Sequence, residues 1–228
     1  MTVLTTSTLG DLVANAPARA AVLDRLGLDY CCHGQRSLDD ACTAAGLDAT
    51  TVAASLDLVS ATPATEHPSE PAQLTEHIEA THHAYLHAEL PELVALAAKV
   101  ASVHAERHPE LGEVGVLVNE LAADLEPHML KEERILFPAI RALLAGTRAF
   151  PFGTVRNPIA MMSIEHDRAG DLLAALRAAT VGYRVPDDGC ASYRALYERL
   201  AHMEADTHLH IHLENNVLFP AAVAAEAS

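Results

Sequence analysis

One string of residues occurs twice in this chain. His128-Met-Leu-Lys-Glu132-Glu-Arg-Ile135-Leu-Phe137-Pro138-Ala139 returns as His210-Ile-His-Leu-Glu214-Asn-Asn-Val217-Leu-Phe219-Pro220-Ala221, so both copies read H-x-x-x-E-x-x-[IV]-L-F-P-A. Residues four apart share one face of an α-helix, so each copy presents an imidazole and a carboxylate in the same direction. Two such helices packed face to face would bring two His and two Glu together, which is the ligand chemistry of a dinuclear metal site. Imidazole and carboxylate without thiolate suit iron, manganese or zinc, and a Glu can bridge two ions ~3.5–4 Å apart. Asp124 and Asp206 stand one turn before each His, and Glu165 precedes His166. All three could orient a ligating imidazole from behind.

The candidate ligands lie on apolar stripes. Val114, Leu117, Leu121, Leu125 and Ile135 share the side of His128, and Leu196, Leu200, Met203 and Val217 that of His210. His166 belongs to the stripe of Ile159, Met162, Ala169, Leu173 and Leu176. A buried polar group with no partner costs roughly 1–3 kcal/mol, and more if charged. Several of them converging on one core level therefore need a shared neutralising partner, such as a pair of metal cations. A duplication kept for packing alone is the competing explanation. A further ligand must come from the segment carrying His77, His82, His83 and His87, where periodicity supports His82 and His83 about equally.

The elements that would position these groups are helices. Four stretches carry apolar stripes: Gln73 to about Arg107, Leu111 to Leu144, Ile159 to about Thr180, and Ala191 towards Phe219. Long helices joined by short turns predict an all-α, up-down four-helix bundle over residues 73–222. Pro91 is expected to bend or break the first helix, and Leu-Phe-Pro to end or kink the second and fourth soon after the Glu. Residues 1–60 read as a small domain of short helices. One runs from a Ser7 or Thr8 cap to Gly27, one from Ser37 to Gly46, and one starts at Asp48 or Thr50. Three prolines at 63, 68 and 71 mark residues 61–72 as a linker.

Composition narrows the class. Half the residues are hydrophobic, aromatics are 4% and Trp is absent, which suits close-packed helices. A formal net charge of −16 argues against nucleic acid or an anionic membrane surface as partner. No signal segment or membrane-length apolar run is present, so a cytoplasmic protein is expected. Neighbouring Cα atoms lie ~3.8 Å apart, closer than a disulfide prefers. Cys31 and Cys32 therefore suit soft-metal capture, thiol exchange or reaction with an oxidant. Cys42 and Cys190 are assigned no role, and His208 and His212 are expected to be solvated.

The residues resemble those of the di-iron iron–sulfur cluster repair proteins, the Repair of Iron Centres family. The strings that carry the resemblance are Leu28-Asp-Tyr30-Cys31-Cys32, His83 followed by Leu90-Pro-Glu-Leu93, His128-Met-Leu-Lys-Glu132-Glu, Glu165-His166-Asp167 and His210-Ile-His-Leu-Glu214-Asn-Asn. The resemblance spans nearly the whole chain and implies a Cys-Cys domain, a linker and a haemerythrin-like bundle. The family places its first ligand seven residues before Leu-Pro-Glu-Leu, which selects His83. It implies two non-haem iron ions in an oxo-bridged centre, bound by His83, His128, His166 and His210 and bridged by Glu132 and Glu214. Cys31 and Cys32 would serve as an iron or redox relay. One departure stands out: the family's Cys-Cys-Gly-Gly is Cys31-Cys32-His33-Gly34 here.

The expected function is repair of iron–sulfur clusters damaged by nitric oxide or peroxide, with iron supplied from the dinuclear centre. The expected partners are damaged iron–sulfur proteins and the small ligands NO or O2. A homodimer is compatible with the sequence, which does not separate a surface stripe from a dimer seam. Two alternatives from other classes are an enzyme reducing nitric oxide at the di-iron site and a non-catalytic O2 or NO sensor.

Overall fold

Why the two repeats do not end their helices is visible in the computed structural model of the chain, which describes residues 3–59 and 67–227. Pro138 and Pro220 cannot donate a backbone hydrogen bond, and their rings clash with the carbonyl four residues earlier. The backbone answers by widening into a π turn before each proline, over Glu132–Leu136 and Glu214–Leu218, and then continues as helix. A third π turn, Glu79–His83, lies in the first bundle helix.

The bundle therefore has four long members, three of them interrupted. The first is α5 (Pro71–Ile78), the π turn, and α6 (Ala84–His104). The second is α7 (Glu110–Lys131), its π turn and α8 (Phe137–Leu144). The third is α9 (Arg156–Ala179), and the fourth is α10 (Ala191–Leu213), its π turn and α11 (Phe219–Glu226). Helix α6 packs on α7, α7 on α9, α9 on α10 and α10 back on α6, closing the ring. Pro91 does not break α6, which runs through it.

Ahead of the bundle lie α1 (Leu9–Asn15), α2 (Ala20–Leu26), α3 (Leu38–Ala45) and α4 (Ala49–Val59). The single helix expected up to Gly27 is two, separated at Pro17, which opens a short 3-10 turn. Thr8 and Ser37 cap α1 and α3 by accepting from the amides of Asp11 and Asp40. Gly27 and Gly46 close α2 and α3 at φ +66° and +68°, a backbone region that L side chains rarely adopt. Of the expected linker, residues 61–66 fall outside the described residues, and Pro71 already belongs to α5.

These N-terminal helices rest on the far end of α10. Asp24 accepts from His208 Nδ1 at 2.8 Å. Asn216, in the last π turn, donates to the carbonyls of Tyr30 and Cys31 at 3.3 and 3.1 Å. The fit is close at Gly34, where a Cβ would stand 2.3 Å from Asn216 Oδ1. His208 is therefore half-buried and His212 is 1% exposed, not solvated as expected. The N-terminal helices cover the face on which both lie.

The apolar interior falls into two clusters. The larger holds Leu86, Leu125, Met129, Ala169, Leu173 and Met203, among others, together with the core of the N-terminal helices. The smaller holds Leu74, Ile78, Leu136, Phe137, Met162, Leu218 and Phe219. Along all four bundle helices, the boundary between the clusters is marked by buried histidine and glutamate. No helix among the described residues is long and apolar enough to cross a membrane.

Candidate metal centre

The boundary layer is a closed polar nest. His83, Glu132, His166, His210 and Glu214 are fully buried and His128 is 2% exposed. Each long helix contributes: His83 from the π turn after α5, His128 from the end of α7 and Glu132 from the π turn that follows, His166 from the middle of α9, and His210 from the end of α10 and Glu214 from the π turn that follows. Every ligand-bearing π turn rotates its helix at the point where a polar group must face inward. His82, equal to His83 on periodicity, lies outside the nest and stacks on the far side of His210, with centroids 5.7 Å apart and 8° between planes.

The six side chains form two overlapping donor groups. One is His83, His210, Glu132 and Glu214, and the other is His128, His166, Glu132 and Glu214. Both carboxylates belong to both groups. His83 Nε2 and His128 Nε2 lie 3.4 and 3.3 Å from Glu132 Oε2. His166 Nε2 is 3.0 Å from Glu214 Oε2, and His210 Nε2 is 3.1 Å from Glu214 Oε1. Within each group the two imidazoles meet Nε2 to Nε2 at 3.1 Å.

These short separations are not all hydrogen bonds. Both oxygens of Glu132 and Glu214 Oε2 have no hydrogen-bond partner although they are inaccessible to water. Imidazole and carboxylate lone pairs at ~3 Å, aimed at common points, are what a cation between them would require, and two buried carboxylates alone would be costly. The donor set therefore fits metal ions.

The rear of the nest favours the imidazole tautomer that carries its proton on Nδ1. His83 Nδ1 is 3.0 Å from Glu133 Oε1, His128 Nδ1 is 2.9 Å from Glu165 Oε2, and His166 Nδ1 is 3.0 Å from Asn215 Oδ1. With Nδ1 donating, each neutral ring keeps its Nε2 lone pair for the nest. Sequence reasoning found Glu165 but missed Glu133 and Asn215, although each follows a repeat Glu directly. Asp124 and Asp206 do not take the positions expected of them: Asp124 pairs with Arg168, and Asp206 Oδ1 accepts from His82 Nδ1 at 2.9 Å. The partners behind the three rings come instead from neighbouring helices: Glu133 stands behind His83, Glu165 behind His128 and Asn215 behind His166.

Protonation follows the crowding of charge. Burial favours a neutral His128, but Glu132 and Glu214 outweigh it and push its pKa up to about 9. Burial and the nearby Glu214 oppose ionisation of Glu132, yet His128 and His83 hold its pKa below the usual carboxylate value. Glu214 is likewise opposed by burial and held well below by His210 and His166. Burial keeps His210 below the usual imidazole value.

The cysteines lie on the same face of the bundle. Cys32 Sγ is 3.6 Å from the His166 carbonyl oxygen, and Cys31 Sγ and Cys32 Sγ are 3.8 Å apart as free thiols. Both thiols belong with Asp29 to a third potential donor group. His33 is turned aside, with Nδ1 2.6 Å from Asp29 Oδ2. Tyr30, Cys31 and Cys32 help line a cavity of about 260 Å³ between the N-terminal helices, α9 and α10.

Helical architecture and nest together define a haemerythrin-like cation-binding bundle, and residues 74–222 match the haemerythrin HHE cation-binding domain. Residues 5–60 match a second family, ScdA_N, a domain of unknown function. Relatives similar along their whole length include the iron-sulfur cluster repair protein YtfE of Dickeya chrysanthemi (strain Ech1591). It is 38% identical, over 96% of this chain and 97% of its own. The proteins of the same name from Escherichia coli O157:H7 and Cronobacter sakazakii (strain ATCC BAA-894) are 35% and 34% identical, each over 96% of this chain and over 97% and 96% of their own. The chain belongs to this family of haemerythrin-like iron–sulfur cluster repair proteins.

Proposed function

We propose that the nest holds two iron ions bridged by Glu132 and Glu214, and that the protein restores iron–sulfur clusters damaged by nitrosative or oxidative stress by supplying that iron. The observation that carries this reading is the sharing of both buried carboxylates between two pairs of imidazoles. Bound there, iron would supply redox chemistry and a store of exchangeable metal. The protein's own residues do the rest. Glu133, Glu165 and Asn215 hold three rings in the ligating tautomer, and the apolar clusters on either side keep bulk water out. Residues 1–60 act as a separate thiol-bearing unit on the bundle of residues 73–222. Cys31 and Cys32 receive iron or electrons and pass them to a damaged iron–sulfur protein, a reading supported by the contact of Cys32 Sγ with the His166 carbonyl oxygen.

The test is iron content with an EPR spectrum of the protein purified without added metal. About two irons per chain, lost in Glu132→Ala and in Glu214→Ala, supports the bridging assignment. Unchanged iron in both variants refutes it. A second reading is favoured by the donor count, since two imidazoles and two shared carboxylates leave iron with open coordination positions. Those positions would admit NO or O2. Anaerobic nitrous oxide formation over many turnovers would mark a nitric oxide reductase, and binding without turnover would not.

A further inference from the structure

Cys190 and His104 meet at the end of the bundle remote from the nest. The stretch of α10 between Cys190 and His210 is about 30 Å long at ~1.5 Å per residue. His104, the last residue of α6, is 5% exposed, and its Nε2 lies 3.1 Å from Cys190 Sγ. Its Nδ1 is buried with no hydrogen-bond partner, which leaves the thiol as the polar contact of this ring among the described residues. Cys190 is a free and exposed cysteine. A buried base aimed at an exposed thiol is the arrangement of an activated nucleophile, whereas packing alone would be met by an apolar side chain at either position.

Two further features favour attack by that sulfur. Cys190 is the N-cap of α10 and its side chain makes no capping hydrogen bond, so the sulfur lies beside the positive end of a 23-residue helix. Negative charge that develops on sulfur is stabilised there. The pair is also held in place. Asp188 accepts from His108 Nε2 at 2.9 Å and pairs with Arg107 at 3.1 Å. His108 Nδ1 stands 3.2 Å from Glu110 Oε1, which accepts from the Tyr193 hydroxyl at 3.3 Å. The Tyr193 ring packs edge-on against His104, with centroids 5.5 Å apart. The turn before α10 is thus tied to the turn after α6, and the thiol is fixed over the imidazole.

We infer that Cys190 and His104 form a peroxide-reactive site, at which a hydroperoxide oxidises the thiol reversibly to a sulfenic acid. The Cys190 proton passes to His104 Nε2 as the sulfur attacks the terminal peroxide oxygen. An S–O bond forms and the O–O bond breaks; sulfur loses two electrons and the peroxide gains them. The departing hydroxide or alkoxide takes the proton from His104 and leaves as water or alcohol. An oxygen anion needs that proton more than a thiolate or halide would, which selects a peroxide among the electrophiles that a thiol attacks. The sulfenic oxygen is also a hydrogen-bond acceptor at an N-cap, a position that favours one. Cys42 is buried and Cys32 lies against His166 beside Cys31, so the chain brings no second thiol to the product. Two equivalents of a free thiol from solution return it to Cys190, leaving as a disulfide and water.

The experiment is site-resolved mass spectrometry of the full chain, as purified, after a pulse of hydrogen peroxide with dimedone present to trap sulfenic acid. Cys190 is expected to be labelled at least about tenfold faster than free cysteine, and His104→Gln to lose most of that gain. Iodoacetamide, whose iodide leaves without a proton, gives the comparison: its rate at Cys190 should fall less in His104→Gln than the peroxide rate does. A substitution that only disturbed the structure would slow both alike. A Cys190 rate no greater than that of free cysteine, an unchanged rate in the variant, or equal losses with the two reagents overturns the inference. Parent and variant carry the same nest, so peroxide consumed at a metal is common to both. If His104→Gln does not fold, the rate at Cys190 in the parent against free cysteine decides.

Discussion

Asn215 connects His166 to Cys31. Its Oδ1 lies 3.0 Å from His166 Nδ1, and its Nδ2 donates to the Cys31 carbonyl at 3.3 Å. One side chain therefore orients a candidate ligand and anchors the backbone of the thiol pair. Asn215→Ala removes both bonds. Loss of such a supporting partner costs 10–100-fold in metal affinity, and competition with a chelator should show a drop in that range. The same variant should alter the rate at which Cys31 and Cys32 react with a thiol reagent. A variant with wild-type affinity would sever the link.

The rear partners of the nest permit a sharper comparison. Glu165→Ala and Glu133→Ala each remove a carboxylate behind a ligand, at His128 and His83. Both are expected to weaken metal binding 10–100-fold. Asp124→Ala should leave it unchanged, because Asp124 faces Arg168. Metal retained on dialysis of the three variants side by side tests the assignment, and equal behaviour of Asp124 and Glu165 would contradict it.

The raised pKa of His128 predicts a pH dependence for the metal-free protein. A histidine whose folded pKa lies above its unfolded value stabilises fully below the unfolded pKa, near 6.5, and loses that contribution as pH rises through the folded value, here about 9. His83, also raised against burial by Glu132 and Glu214, acts in the same sense. Thermal melting of the apoprotein should therefore fall between about pH 6.5 and 9. Metal loading near pH 7.5 should release protons from these rings. A flat melting curve with no proton release on loading would falsify this account.

At Gly34 the prediction is steric. A methyl group there meets Asn216 Oδ1 at 2.3 Å and the Tyr30 carbonyl at 2.5 Å. Overpacking of this kind typically costs about 1–3 kcal/mol. Gly34→Ala should lower the melting temperature and loosen the N-terminal helices from the bundle, read as faster exchange of the Cys31 and Cys32 amides. Normal melting and exchange would show that this contact is not needed.

How much of this was legible in the sequence follows from what each signal encodes. The duplicated string located His128, Glu132, His210 and Glu214 because identical chemistry at identical spacing is visible without coordinates. The apolar stripe located His166 for the same reason. The choice between His82 and His83 was not legible in periodicity, because a π turn at Glu79–His83 shifts the helical phase at the residues in question. Glu133 and Asn215 gave no signal because each supports a ring on a neighbouring helix, and at each Leu-Phe-Pro, where an end or a kink is expected, a π turn lets the helix continue. His212 was misjudged because its burial comes from Tyr30 and its neighbours, about 180 residues distant in the chain.

The polar layer that parts the two apolar clusters also divides the bundle into regions of unequal resilience. The smaller cluster, built from α5, α8, α11 and the first turns of α9, has its own limited apolar contact and is joined to the rest across the ligands. Such a region opens locally at less cost than global unfolding. Bound metal would bolt this end cap to the main body. Without it, the cap becomes the part of the protein that yields first, giving the centre a hinge through which to empty and refill while the larger core stays folded.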